Sequence, residues 1–375
     1  MNLPKFDITI IGSGIVGLSI AKSLSNNKYS VLVIEKNNSF GEETSSRNSE
    51  VVHSGIFNDI ESLKYNFCKE GNDLLYHFCD ENQIWYNKCG KLVISKENEE
   101  EKFEKFVQSL IQKNIKFDIL NENETNNIEP SIISSKSIHI KNSGVVDSHG
   151  LMSHLFRISS NSNTHLFNSK TQKIVKYKNG YIVQIQRKNG EIEEFFSKII
   201  INSAGLNSYE VASNIMGNSL NIPNMKFYKG SYFSLSSKWR NKFRKLIYSL
   251  PSSEDALGIH ISFDSLGRVK LGPDYEPISS DSFDYSVSLK SREKFFESAK
   301  QYINDLHIDD LSPDYSGIRP KLFYKSKRSS EFYIKEESKN GYNNFINLIG
   351  IDSPGLTSSL KIGEYVKSII SRMNF

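Results

Sequence analysis

The chain has 375 residues, too many for one small core, and its length fits two domains sharing a cleft. Lys and Arg number 47 against 43 Asp and Glu, a formal net charge of +4 spread along the chain. That balance demands no nucleic-acid partner and suits a small anionic substrate or loose contact with an anionic membrane face. The three cysteines, Cys68, Cys79 and Cys89, are odd in number and lack Cys-x-x-Cys spacing. Neither a disulfide framework nor a metal site is expected from them, and a reducing cytoplasm is the simpler home.

Met1 to Leu24 sets Lys5 before an apolar run, as a secretory signal would, but Asp7 and a set of spaced glycines argue against one. No apolar stretch reaches membrane-spanning length. Residues 6–11 read as a strand, 15–25 as a helix with Val16, Ile20 and Leu24 on one side, and 30–34 as a second buried strand. This βαβ order implies a parallel sheet. A polar loop at 37–48 precedes a helix near 62–81, a strand at 90–95 and helically spaced charges at 97–114. The stretch 83–145 is a first excursion from the opening unit. A helix at 150–159 then leads to alternating runs at 172–178 and 181–187, which Asn179-Gly180 joins as a hairpin. Residues 198–205 return as a buried strand ending in small residues. An aromatic-rich tract at 222–335 reads as a second domain. A last strand at 344–351 is followed by a Gly/Ser/Thr turn and a helix to about 373.

The glycines Gly12, Gly14 and Gly17 follow a strand and open a helix, and Glu35 ends the next strand. Gly12 permits the tight turn, Gly14 lets the backbone approach a pyrophosphate, and Gly17 lets helix and strand pack closely. The helix start offers free amides and the positive end of its dipole, while Glu35 accepts from ribose hydroxyls. Strand, helix, second strand and acid agree on a Rossmann-type dinucleotide site. The strand before Asp352 and the helix after it carry Thr357 and Ser358 as expected caps, facing a flavin ring.

Several segments then carry a resemblance: Thr44 to Ile56 (TSSRNSEVVHSGI), Gly230 to Phe233 (GSYF), Gly258 to Ser262 (GIHIS), Leu271 to Asp274 (LGPD), Gly317 to Lys321 (GIRPK) and Ser353 to Ser359 (SPGLTSS). In this order, from about residue 6 to 368, the chain resembles the L-2-hydroxyglutarate dehydrogenase/oxidase family within the D-amino-acid-oxidase-like FAD fold. The fold expected is α/β and α+β, a Rossmann-type FAD-binding domain with an interleaved antiparallel-sheet substrate domain. Its discontinuous FAD-binding domain would comprise 1–82, 146–215 and 338–375, and its substrate domain 83–145 and 216–337.

Carried over residue by residue, the resemblance implies FAD contacts from Gly12, Gly14, Ile15, Val16, Gly17, Glu35 and Lys36. It extends them to Thr44, Ser45, Ser46, Arg47 and Asn48, to Ala204 and Gly205, and to Gly355, Leu356 and Thr357. Arg319 would clamp the α-carboxylate of the substrate, since a guanidinium matches a carboxylate with two parallel hydrogen bonds. His53 and mid-strand His260 both suit the base, because an imidazole titrates near neutrality. His53 could alternatively contact or tether the flavin. Lys229, Tyr232, Tyr248 and Lys321 are candidates for the distal carboxylate of a five-carbon diacid. The preferred reaction is oxidation of L-2-hydroxyglutarate to 2-oxoglutarate by hydride transfer to flavin N5. A glycine- or sarcosine-type amine oxidase is the alternative enzyme, and a flavin-binding protein without turnover the alternative from another class. Oxygen, a quinone or a carrier protein could each take the electrons. No nucleic acid and no metal is expected, and the expected location is the cytoplasm, with peripheral contact at the inner membrane left open.

Overall fold

Apolar β-branched residues draw Lys5–Ile11 into the middle of an eight-stranded sheet, where it runs parallel to Val31–Ile34 and to Ile192–Asn202. Ile8 lies opposite both Ile199 and Val31, which fixes the register around the first glycine turn. The computed structural model describes residues 3–25, 29–217, 222–251, 258–279, 283–325 and 327–373; within the aromatic-rich tract, 252–257, 280–282 and 326 lie outside the described residues. Helix Ile15–Leu24 starts right after the glycine loop and packs against helices Gly355–Ile370 and Ser148–Ser160. Ile8, Ile10, Ile20, Leu24, Val33, Ile346, Ile362 and Val366 share one buried cluster there. Each such side chain contributes about 1.5–3 kcal/mol through burial, so this layered core anchors the loop ends rigidly.

Strand Ile192–Asn202 changes partners along its length. Its first half pairs antiparallel with Gly180–Arg187, and its last residues pair parallel with Phe345–Ile349. The hairpin expected at 172–187 forms from Ser169–Tyr177 and Gly180–Arg187, but its turn is shifted. Tyr177 pairs with Gly180, so the two-residue loop is Lys178-Asn179, with Lys178 at positive φ. Gly180 belongs to the strand because a Cβ there would run into the Ser197 carbonyl oxygen and the Phe196 ring.

The second large sheet has ten strands drawn from distant parts of the chain. Its path runs Lys327–Arg328, Leu311–Tyr324, Asn224–Leu235, Val269–Gly272, His260–Phe263, Leu246–Ser249, Lys91–Ser95, Lys136–Ile140 and Asp118–Asn121. Every pairing along this path is antiparallel except one. Leu246–Ser249 lies parallel to Lys91–Ser95, and there the early excursion is stitched to the later tract. Leu92, Phe103, Phe233, Ile247, Ile261 and Phe295 belong to the core of this sheet. A small three-stranded sheet ties Val51–Val52 to Gly144–Val146 and Tyr86–Asn87, which holds the backbone just ahead of His53.

The last helix departs from expectation at its start. It begins at Gly355, no side chain caps it, and Thr357 and Ser358 fall inside its first turn. The Thr357 hydroxyl instead accepts from the His53 backbone amide at 3.0 Å and lies 3.4 Å from the Val51 carbonyl. Tertiary contact has taken the group that a local cap would have used. Among the described residues no helix is long and apolar enough to cross a membrane.

Candidate active site

The C-terminal ends of the parallel strands open onto a cavity of about 1130 Å³. Ligand sites of this kind occupy the crevice outside such strand ends, and drug-sized ligands need about 300–1,000 Å³, so there is room for a dinucleotide together with a substrate. At one end Gly12 adopts a φ of +96°, where a Cβ would lie 2.6 Å from the Ser203 carbonyl oxygen. Gly17 backs onto the Gly12 carbonyl so tightly that any Cβ would collide with it. The Ile15 amide at the helix start donates to the Ser45 hydroxyl at 3.0 Å, so an oxygen already sits where this helix end attracts anions. Glu35 is buried, and the amides of Ser13 and Asn37 each donate to its carboxylate at 2.9 Å. Lys36 pairs with Glu43 at 2.7 Å and donates to Asn207 at 2.6 Å.

The 44–48 loop forms the next wall. Thr44 donates to the Ile318 carbonyl, Tyr315 donates to the Asn48 carbonyl, and the Arg47 guanidinium stacks 4.2 Å above the Tyr285 ring. Gly12, Gly14, Ile15, Val16, Glu35, Lys36, Thr44, Ser45, Arg47, Asn48, Ala204, Gly205, Gly355 and Leu356 all line the cavity. Three other expected contacts do not. Gly17 is a packing residue, the Ser46 hydroxyl turns back to the Glu43 carbonyl, and Thr357 is buried against His53 and Val51.

At the other end the cavity is lined by His53, Tyr232, Tyr248, His260, Arg319 and Lys321. Arg319 and Lys321 are two positions apart on Leu311–Tyr324 and so share a face. Among the described residues no Asp or Glu pairs with Arg319, and its positive charge bears on the neighbouring Tyr232 phenol, which burial pushes up. His260 is the first residue of its strand rather than a mid-strand one. Its Nδ1 lies 3.0 Å from the Gly258 carbonyl oxygen. A carbonyl only accepts, so Nδ1 carries the hydrogen and Nε2 keeps its lone pair. Burial, then the charges of Lys91 and Arg319, push the His260 pKa down to about 3. The His53 pKa also falls well below the ordinary histidine value, chiefly through burial and next through Lys91. His53 Nε2 is 3.3 Å from the Ser353 hydroxyl.

Lys229 is not at the cavity. It pairs with Ile318 across the sheet, one register step from the Tyr228–Arg319 pair, and therefore points to the opposite face, where its ammonium meets Asp284 at 3.3 Å. Lys321 lines the cavity but is engaged by Asp352, which also binds Lys64 at 2.8 Å. Burial raises the Asp352 pKa, and the two ammonium groups outweigh that and hold the carboxyl well below its usual range. Lys321 is lowered as well, by burial ahead of the opposing pull of Asp352. Two cations on one anion leave a buried excess of positive charge facing the cavity. Lys64 and Asp352 were not singled out from the sequence: nothing local connects a lysine in the helix Leu63–Asn82 to an aspartate 288 positions later.

The sequence profile of the family described as FAD dependent oxidoreductase matches residues 7–369. The mitochondrial L-2-hydroxyglutarate dehydrogenase of Arabidopsis thaliana is 34% identical over 402 residues, covering 96% of this chain and 83% of that protein. The dithionite-reduced L-alpha-glycerophosphate oxidase of Mycoplasma pneumoniae with FAD bound superposes with a TM-score of 0.87 at 22% identity, covering 99% of this chain and 96% of that one. Glycine oxidase from Geobacillus kaustophilus gives 0.83 at 16% identity, with 99% and 96% covered. At these identities the two structures are similar in fold alone.

Proposed function

The chain belongs to the DAO family of FAD dependent oxidoreductases, and from that premise we propose that it oxidises a small 2-hydroxy acid, L-2-hydroxyglutarate, to 2-oxoglutarate. The observation that carries this reading is Arg319, a cavity-facing guanidinium with no acidic partner among the described residues, beside a histidine whose Nε2 is open. The glycine loop fits the cofactor, since Gly12 and Gly17 leave no room for a Cβ and the helix start is ready to meet phosphate. FAD, when bound, supplies the acceptor for the hydride that leaves the α-carbon, at its N5.

The chain's own residues then divide the remaining work. Gly12, Gly14, Ile15 and Val16 hold the pyrophosphate, and Glu35 and Lys36 the ribose end. The 44–48 loop, Ala204, Gly205, Gly355 and Leu356 flank the rest of the cofactor. Arg319 binds the α-carboxylate in two-pronged fashion and Tyr232 orients the guanidinium. His260 Nε2 takes the hydroxyl proton as the carbonyl forms, and its hydrogen bond to Gly258 keeps it in the accepting tautomer. The excess positive charge of Lys64, Lys321 and Asp352 receives the distal carboxylate. We assign residues 1–82, 146–215 and 338–375 to the FAD-binding unit and 83–145 and 216–337 to the substrate unit. Tyr333–Glu336 pairs into the eight-stranded sheet and is better counted with the first. Three free, buried cysteines favour a reducing compartment such as the cytoplasm.

The test is anaerobic reduction of the purified holoenzyme by a panel of L- and D-2-hydroxyglutarate, L-lactate, glycerol 3-phosphate, glycine and sarcosine. L-2-hydroxyglutarate is expected to bleach the flavin fastest. Bleaching by glycine or sarcosine and by no hydroxy acid overturns the reading, and bleaching by none favours a binding protein. Re-oxidation of the bleached enzyme by oxygen or by a quinone identifies the electron acceptor.

A further inference from the structure

Lys91 stands in the strand Lys91–Ser95 beneath the substrate end of the cavity, and its side chain is fully buried. Among the described residues its Nζ has no hydrogen-bond partner. A buried ammonium without a counter-ion carries a heavy desolvation penalty, so its retention calls for a reason. What meets it is aromatic: Nζ lies 3.8 Å from the Tyr248 ring centroid and 5.5 Å from that of Phe57. The His260 imidazole stacks on the same tyrosine ring, with centroids 3.9 Å apart and planes at 16°. Two groups that close to one centroid must occupy opposite faces of the ring. The order is therefore ammonium, phenol ring, imidazole.

The charges around this stack have one sign. Lys91 faces Cys68 of the helix Leu63–Asn82 and Cys89 just ahead of its own strand, and burial pushes these thiols up to about 12 and about 11, which leaves them neutral near pH 7. The Tyr248 phenol is likewise driven up by burial. His260 faces Lys91 and Arg319, and His53 faces Lys91, His260 and Arg319. Among the described residues no anion pairs with the lysine, and across the phenol ring its field falls on His260.

We propose that Lys91 is a positioning residue of this site, which through the Tyr248 ring presents a positive charge to His260 and, together with burial, keeps that imidazole unprotonated. The role rests on the reaction proposed above, because only an unprotonated Nε2 can take the hydroxyl proton. Burial draws the Lys91 ammonium down to about 7, and His260 protonates only at about 3. On acidification the proton therefore goes to the lysine before it goes to the base. Removing the charge must raise the His260 imidazole pKa, so the free base is lost at a higher pH.

The experiment compares the parent holoenzyme with Lys91→Met by histidine-ring NMR titration and by the pH dependence of flavin reduction with L-2-hydroxyglutarate. His53→Asn and His260→Asn assign the ring signals. In Lys91→Met the His260 ring midpoint and the acid limb of the rate are expected to rise by about one pH unit. A folded Lys91→Met with an unmoved His260 midpoint and an unmoved acid limb overturns the proposal. Should Lys91→Met not fold, Lys91→Gln and the parent decide. A Lys91→Gln His260 midpoint above the parent's supports the role, and one equal to the parent's overturns it. If no hydroxy acid reduces the flavin, the proposed reaction fails, while the ring titration still judges Lys91, because it needs no substrate.

Discussion

A guanidinium facing a cavity without a carboxylate of its own is a standing demand for an anion, and among the described residues Arg319 is such a group. Truncating one partner of a desolvated charge pair costs about 2–5 kcal/mol, so Arg319→Met is expected to lower kcat/KM by at least about 30-fold, as steady-state kinetics would register. Lysine cannot reproduce the planar two-pronged contact, so Arg319→Lys should rescue little of this. His260 gives a sign that can be worked out. Its pKa lies at about 3 because burial and two nearby cations disfavour the imidazolium, so the base stays free far below 6.5. The acid limb of kcat/KM should therefore lie below pH 6.5, whereas an unperturbed imidazole would lose about tenfold per unit beneath that value. The same shift makes stability fall as pH drops through the window between 6.5 and 3, because there the unfolded chain takes up a proton that the folded chain refuses. Acid titration of the melting temperature reads it. Arg319 and both histidines came into view as residues of the segments that carry the family resemblance. It could not show that His260 Nδ1 is committed to Gly258, which selects the accepting nitrogen.

Helix Ile15–Leu24 can approach its strand only because Gly17 has no side chain to meet the Gly12 carbonyl. In Gly17→Ala the helix must move away from the loop it anchors, at a cost of about 1–3 kcal/mol. The purified variant should elute with a lower flavin-to-protein absorbance ratio than the parent and melt at a lower temperature. This element was legible from sequence because strand, glycine turn and helix are local, and their roles depend on neighbours a few positions away. The hairpin was legible too, but its turn was misplaced by one residue. Gly180 serves a close approach to Ser197 on the third strand, a contact that the Asn-Gly turn rule does not include. Thr357 shows the same limit at a helix start, since its hydroxyl is taken by the His53 amide 304 positions away.

Across the whole molecule the cavity is lined by residues of both large sheets, each assembled from separated stretches of chain, so a ligand that filled it would touch both. A ligand that binds only the folded state stabilises it by about 2.7 kcal/mol at a concentration 100 times its Kd. Adding FAD to stripped protein should accordingly raise its melting temperature in a concentration-dependent way, and an unmoved transition would count against the glycine loop as the cofactor cradle. By itself the sequence determined the βαβ opening and the residue types available to the site, because these rest on short-range periodicity and on motifs with their own spacing. Only the tertiary structure decided that Lys229 faces away, that Lys64 and Lys321 share Asp352, and that Lys91 and His260 stack on opposite faces of Tyr248. Those outcomes depend on sheet register and on the parallel pairing of Lys91–Ser95 with Leu246–Ser249, and no local pattern encodes which distant strand becomes a neighbour.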